Sequence, residues 1–253
     1  MTTSAAARWI VRPRPRPLAA LRLVCFPYAG GGAQVYRTWP DALSAEIELL
    51  SIALPGRDAR LREPLFRSMP PLVAALTDAI GGAIQPPFAI FGHSFGALLG
   101  FAFALELRRR GLTQPVQLFA SGRRAPQLPE PRPMRDLPEP EFLAGLRRLG
   151  GIPDSVFDEP ELMDYFLPIL RADFAVTETT VLTADPPLDY PIVALGGTDD
   201  DRASPDELDG WRIHTAAGFD RELFPGGHFF LQTDRAGLLA ALARRLARIT
   251  AAR

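Results

Sequence analysis

Apolar positions recur along this chain in two alternating textures. Short, nearly unbroken apolar runs lie at 21–26, 47–54, 88–91, 116–120, 191–195 and 221–224, most of them closed by Gly, Pro or Ser. Runs of that length predict strands, and the absence of inside–outside alternation predicts strands buried on both faces. Between them the spacing becomes helical. Leu72, Val73, Leu76 and Ile80 mark one face of a helix over 69–84, residues 95–110 run apolar until Glu106 and Arg108, and 234–249 is amphipathic. Residues 36–43 predict a shorter helix. Strands alternating with helices predict an α/β fold: a mostly parallel sheet flanked by helices.

The rhythm breaks between 126 and 190. Prolines and charges crowd 126–140, and helices are predicted at 139–149 and 160–181, the second interrupted at Pro168, a residue suited to a first helical turn. Residues 126–190 therefore read as a helical cap, or lid, inserted over the carboxyl edge of a core made of 21–125 and 191–253. Residues 1–20 read as an N-terminal arm, because Arg and Pro alternate over 12–17 and favour an extended polyproline conformation.

Composition narrows the classes. The 253 residues are 47% hydrophobic and 23% charged, which suits one large domain with a sizeable core. A net charge of −1 supplies no bulk field for nucleic acid or an anionic membrane, and no run approaches the ~18 apolar residues of a membrane span. Neither nucleic acid nor membrane is an expected partner. The first residues lack the apolar core of a secretory signal. The single cysteine, Cys25, lies inside an apolar run and reads as a small core residue; it excludes an intrachain disulfide and points to a reducing cytoplasm.

The candidate chemistry sits at Gly92-His93-Ser94-Phe95-Gly96, between a predicted strand and a predicted helix. Such a strand–turn–helix presents a serine on a sharp bend, with glycines where a Cβ would strike neighbouring backbone. A serine hydroxyl needs a base, and the base needs an orienting acid. Three histidines are available. His93 precedes the serine and is expected to turn away and pack. His214, in Trp211-Arg212-Ile213-His214-Thr215, is expected near the surface. His228, in a glycine-flanked loop after the last strand, is the candidate base. The acid belongs after the strand at 191–195, where Asp199, Asp200 and Asp201 are adjacent and physically equivalent on this reading. The order Ser, Asp, His is that of the α/β hydrolases.

These motifs together resemble the type II (external) thioesterases that accompany polyketide synthases and nonribosomal peptide synthetases. The resemblance rests on Phe26-Pro27-Tyr28-Ala29-Gly30-Gly31, Leu54-Pro55-Gly56-Arg57 with Glu63-Pro64, and Gly92-His93-Ser94-Phe95-Gly96. It extends through Ser121-Gly122-Arg123, Leu170-Arg171-Ala172-Asp173-Phe174 and Gly226-Gly227-His228-Phe229-Phe230. It implies an α/β-hydrolase fold and places the acid at Asp200, three residues after Gly197, although Ala203 stands where the family pattern has valine. Phe95 stands where relatives often carry methionine or leucine. The resemblance further implies backbone oxyanion donors at Ala29 and Phe95, no cofactor, no metal, and a carrier protein bearing a phosphopantetheine thioester as partner.

Substrate contacts are expected from Tyr28, Phe229, Phe142 and Phe174, with Leu143, Leu146, Phe157, Leu162 and Phe166 as further lid positions. Arg171 and Asp173 are expected to anchor the lid through a local ion pair. Arg57, Arg60, Arg123, Arg124 and Arg132 are expected to steer an acidic carrier. Motifs spread over nearly the whole chain suggest a free-standing, monomeric hydrolase. The alternatives are a general small-ester esterase or lipase, an acyltransferase or cyclising thioesterase, and a non-catalytic carrier-binding module.

Overall fold

A computed structural model describes residues 5–251; the ends of the predicted arm and of the core, at 1–4 and 252–253, lie outside the described residues. A short helix α1 (Ala5–Trp9) leads into β1 (Ile10–Val11), then β2 (Leu21–Phe26) and β3 (Ile47–Ile52). Next come α2 (Met69–Ile80), β4 (Phe88–His93), α3 (Phe95–Arg109) and β5 (Gln117–Ser121). Three helices follow before the sheet resumes: α4 (Glu139–Leu149), α5 (Asp154–Phe157) and α6 (Pro160–Glu178). The chain closes with β6 (Ile192–Gly197), α7 (Pro205–Asp209), β7 (Phe219–Phe224), α8 (Phe230–Thr233) and α9 (Arg235–Ala251).

The strands form one sheet in the order β1-β3-β2-β4-β5-β6-β7, and every pair is parallel except β1 with β3. Every residue of β2 to β6 is buried, as unbroken apolar runs require, whereas edge strand β7 is half exposed. Within each strand the two-residue period divides the core. Val24, Phe26, Ile90 and Leu118 face α2 and α3, while Leu23, Cys25, Phe91 and Phe119 face Tyr36, Trp39 and α9. Cys25 is buried and free, and burial pushes its thiol pKa up.

Three expectations need correction. The arm is not simply extended: it contains α1 and a strand paired to β3. It is also docked, because Arg16 donates to the carbonyls of Pro40, Ser44 and Ile47. Residues 36–43 do not form one helix; Ala33–Tyr36 and Trp39–Asp41 are separate 3-10 turns, with Pro40 inside the second. Helix α6 runs straight through Pro168. Pro168 and Asp164 both lie on the exposed side, so water can take the carbonyl that the missing N–H leaves free.

Candidate active site

The turn from β4 into α3 holds Ser94 at φ 54° and ψ −116°, an unusual backbone conformation for a residue with a side chain. Sequence makes this possible at two places. A Cβ on Gly92 would overlap the backbone of Gly96 and Ala97, and a Cβ on Gly96 would overlap the Phe26 carbonyl. The Ser94 N–H donates to the Ser121 carbonyl at 2.7 Å, locking the bend to β5.

The loop after β7 delivers His228 to that bend. Its Nε2 lies 3.0 Å from Ser94 Oγ, and its Nδ1 lies 2.9 Å from Asp200 Oδ2. Asp200 follows β6 and accepts from the Arg202 N–H through its other oxygen at 2.9 Å. Both Asp200 and His228 are buried. The neighbouring aspartates diverge: Asp199 is exposed, and Asp201 pairs with Arg132 at 2.9 Å. Geometry thus separates three residues that sequence leaves equivalent.

In the same cleft, the Phe95 N–H opens α3, and the Ala29 N–H belongs to the glycine loop after β2. Neither has a hydrogen-bond partner among the described residues. The loop is held from the helices between β5 and β6. Asp173 of α6 accepts the Gly30 N–H at 2.8 Å and binds Arg57 through two hydrogen bonds of 2.6 and 2.8 Å.

His93 packs, but not away from the site. Its Nδ1 lies 2.9 Å from Ser121 Oγ, and its ring stands 5.2 Å from that of His228, among Tyr28, Phe229 and Phe230. Burial, reinforced by His228, holds its pKa well below the usual histidine range, so it stays neutral. His214 is buried rather than near the surface. It accepts the Ala184 N–H at 3.2 Å, pairs with Gln127 at 2.7 Å and packs edge-on to Phe101.

The cleft over Ser94 is lined by Tyr28, Ala29, Phe95, His228 and Phe229 around the sheet and by Leu146 of α4 and Phe174 of α6. Phe142 is not in the lining. It is fully buried behind Phe174, ring edge to ring face at 5.5 Å, with Arg171 stacked over it at 4.1 Å. Leu143, Phe157 and Phe166 pack on the lid's own cluster, and Leu162 is exposed. Sequence reasoning did not foresee Leu149, Ile152, Glu130, Thr177, Glu178 and Arg202 in the cleft, and it named Leu170 only as a motif residue and Arg123 only as a motif residue and steering charge. Helical spacing shows a stripe but not which side of it meets the cleft.

The two charge expectations also change. Arg171 donates to the Arg135 carbonyl, not to Asp173. Arg57, Arg60, Arg123 and Arg124 are buried and paired with Asp173, Glu63, Glu130 and Glu207, which removes them as long-range steering charges. Of the five, only Arg132 has an exposed side chain.

A mostly parallel sheet carrying Ser94 on its central bend, with helices inserted between β5 and β6, is the α/β-hydrolase fold. The chain belongs to the thioesterase family of serine hydrolases: the family's thioesterase domain matches residues 21–250. It is 38% identical over 240 residues to "Linear gramicidin dehydrogenase LgrE" of Brevibacillus parabrevis, spanning 93% of this chain and 91% of that protein. It is 38% identical to "Thioesterase PikA5" of Streptomyces venezuelae, spanning 88% and 80% of the two chains. The solved structure of the RedJ thioesterase from the prodiginine pathway of Streptomyces coelicolor superposes with a TM-score of 0.86. It shares 40% identity and covers 92% of this chain and 88% of that one.

Proposed function

We propose that this chain is a type II thioesterase that removes acyl groups from the phosphopantetheine arms of carrier proteins, clearing stalled units from a polyketide or nonribosomal peptide assembly line. The observation that carries the reading is the continuous hydrogen-bonded line Ser94–His228–Asp200 beneath an apolar cleft. Ser94 Oγ attacks the thioester carbonyl while His228 Nε2 takes its proton, and Asp200 steadies the imidazolium through Nδ1. The N–H groups of Ala29 and Phe95 receive the oxyanion. The thiolate leaves readily, since a thiol pKa is about 8.5 and little acid assistance is needed, and it takes up the proton held by His228, which returns to neutral. Water then enters, His228 deprotonates it, and the acyl-serine is hydrolysed as the imidazolium returns the proton to Ser94 Oγ.

The lid, residues 126–190, shapes the acyl cleft through Leu146, Leu149, Ile152, Leu170 and Phe174. The chain acts as a cytoplasmic monomer. No helix among the described residues is long and apolar enough to cross a membrane, and no cluster of metal-ligating side chains is found among them.

The word dehydrogenase in one relative's name has no counterpart in the residues here. A dinucleotide site needs Gly-x-Gly-x-x-Gly leading into an α-helix whose N-terminus meets the pyrophosphate. After β2 this chain has Gly30-Gly31-Gly32-Ala33-Gln34-Val35, which enters a 3-10 turn of four residues.

The test compares Ser94→Ala and His228→Ala with the native enzyme on an acyl-carrier thioester and on a small aryl ester. Each variant is expected to lose at least about 10³-fold in kcat. Retained turnover in either removes the assignment. A higher kcat/KM for the aryl ester than for the carrier thioester favours a general esterase.

A further inference from the structure

One cleft residue carries hydrogen-bond donors that nothing uses. Arg123 follows Gly122 at the end of β5 and lines the same cleft as Ser94, His228 and Phe174. The residue is 6% exposed, and its carbonyl is fixed by Trp211 Nε1 at 2.8 Å. Its Nε is sealed from solvent with no partner, whereas Nη1 and Nη2 are not sealed and make no hydrogen bond among the described residues. The nearest carboxylate oxygen, on Glu130, is 3.6 Å away: close enough for ionic attraction, too far for a hydrogen bond. Arg57 also has an unpaired Nε, and Arg124 an unpaired Nε and Nη1, but Arg57 binds Asp173, Arg124 meets Glu207 through Nη2, and neither lines the cleft.

The terminal Nη groups are the donors that can meet a ligand, and their place in the wall of the cleft that holds the nucleophile points to an acceptor that arrives with the substrate. The surroundings specify its kind. Arg123 and Arg202 line this end of the cleft with Glu130 and Glu178, and the neighbouring Arg124 is paired with Glu207, so the cations and carboxylates balance. The carboxylates are already engaged: Glu130 lies 3.2 Å from Arg202, and Glu178 accepts the N–H groups of Met134 and Arg135 at 2.6 and 2.9 Å. Burial lowers the Arg123 pKa to about 10, which leaves it protonated at neutral pH. Surplus donors in a charge-balanced pocket suit a neutral oxygen. A second carboxylate would meet Glu130 and Glu178.

We propose that Arg123 is a specificity-determining residue that donates to a neutral oxygen, a ketone, hydroxyl or amide carbonyl, on the substrate's acyl chain. Oxygenated acyl thioesters are then preferred over saturated ones of equal length. The proposal rests on the thioesterase reading of Ser94.

The experiment measures kcat/KM of the full chain for N-acetylcysteamine thioesters of octanoate, of its 3-, 5- and 7-oxo derivatives, and of the corresponding ω-carboxylate. In the native enzyme at least one oxo thioester is expected to exceed octanoyl by about tenfold, the gain of a hydrogen bond from a charged donor, with the ω-carboxylate poorest. Arg123→Met is expected to bring the oxo-to-octanoyl ratio near one, and Arg123→Lys to restore part of it. Three results overturn the proposal: no oxo preference in the native enzyme, preference for the ω-carboxylate, or a Met variant that slows all substrates by the same factor. Fluorophosphonate labelling of Ser94 reports whether each variant is folded; should the Met variant fail to label, the native ranking and Arg123→Gln decide. Should none of these be hydrolysed, the same acyl groups are presented on a carrier protein, and failure there removes the thioesterase reading itself. Hydrolysis without an oxo preference removes only the subsite.

Discussion

Ser94 keeps a backbone conformation that costs on the order of 1–3 kcal/mol, and its neighbours hold it there. Gly122 belongs to the same set. It has φ +57°, and an added Cβ would strike the imidazole of His93, which packs against His228. Gly122→Ala is therefore expected to lower stability by about 1–3 kcal/mol in urea denaturation and to depress kcat more than KM. An unchanged denaturation midpoint would show that the His93 ring has room to give. The buried histidines also set a pH dependence. Burial lowers the His214 pKa from 6.5 to about 4 and moves His93 in the same direction. The unfolded chain thus binds protons first as pH falls from about 6.5 toward 4, so stability is full above that window and declines through it. His214→Asn keeps an acceptor for the Ala184 N–H and is expected to flatten the decline, leaving the part due to His93; denaturation at several pH values from 4 to 7 measures it.

At the scale of elements, α6 does more than roof the cleft. Through Asp173 it holds Arg57 and the Gly30 N–H, and with Gly30 the peptide that follows Ala29. Removing one partner leaves a buried charge uncompensated. Asp173→Ala is expected to cost about 3–5 kcal/mol of stability, whereas Arg57→Met with Asp173→Leu recovers most of it by replacing the pair with apolar volume. The double variant still lacks the Gly30 acceptor, so its kcat is expected to stay low while its melting temperature returns. Recovery of both would make the pair purely structural. The network also marks what sequence can convey. Strand runs, the serine bend and the lid helix at 139–149 are legible because each is local: an apolar period, a glycine pair, a capped stretch. The burial of Arg57 and Arg124 is not, because the carboxylate that neutralises Arg57 lies 116 residues away and that for Arg124 belongs to α7, on the far side of β6 in the chain. His214 is misread for the same reason, its partner Gln127 being 87 residues distant. Asp200 stands apart from Asp199 and Asp201 only once the loop is folded.

Across the whole molecule the apolar residues divide into three groups. Two cover the faces of the sheet, and the third, Met134, Phe142, Leu146, Leu170 and Phe174, belongs to the lid. The inserted helices therefore have a small core of their own and are joined to the sheet both by polar anchors such as Asp173 and by Val176, Ala184, Leu188 and Tyr190, which belong to the core on the α3 side. A separate core allows local opening at less than the free energy of global unfolding. Phe142 is the largest fully buried side chain in that cluster, and its truncation should test the division. Phe142→Ala removes about 3–5 kcal/mol of local packing. If the lid opens as a unit, amide hydrogen exchange should accelerate in α4 and α6 while protection in β4 and β5 stays at the native level. Because Phe142 backs Phe174 rather than touching the cleft, KM for a medium-chain thioester is expected to rise as Phe174 loses its support, with the fluorophosphonate reactivity of Ser94 retained. Exchange that accelerates equally in the sheet would mean that lid and core unfold together, and that the cleft has no independently mobile roof.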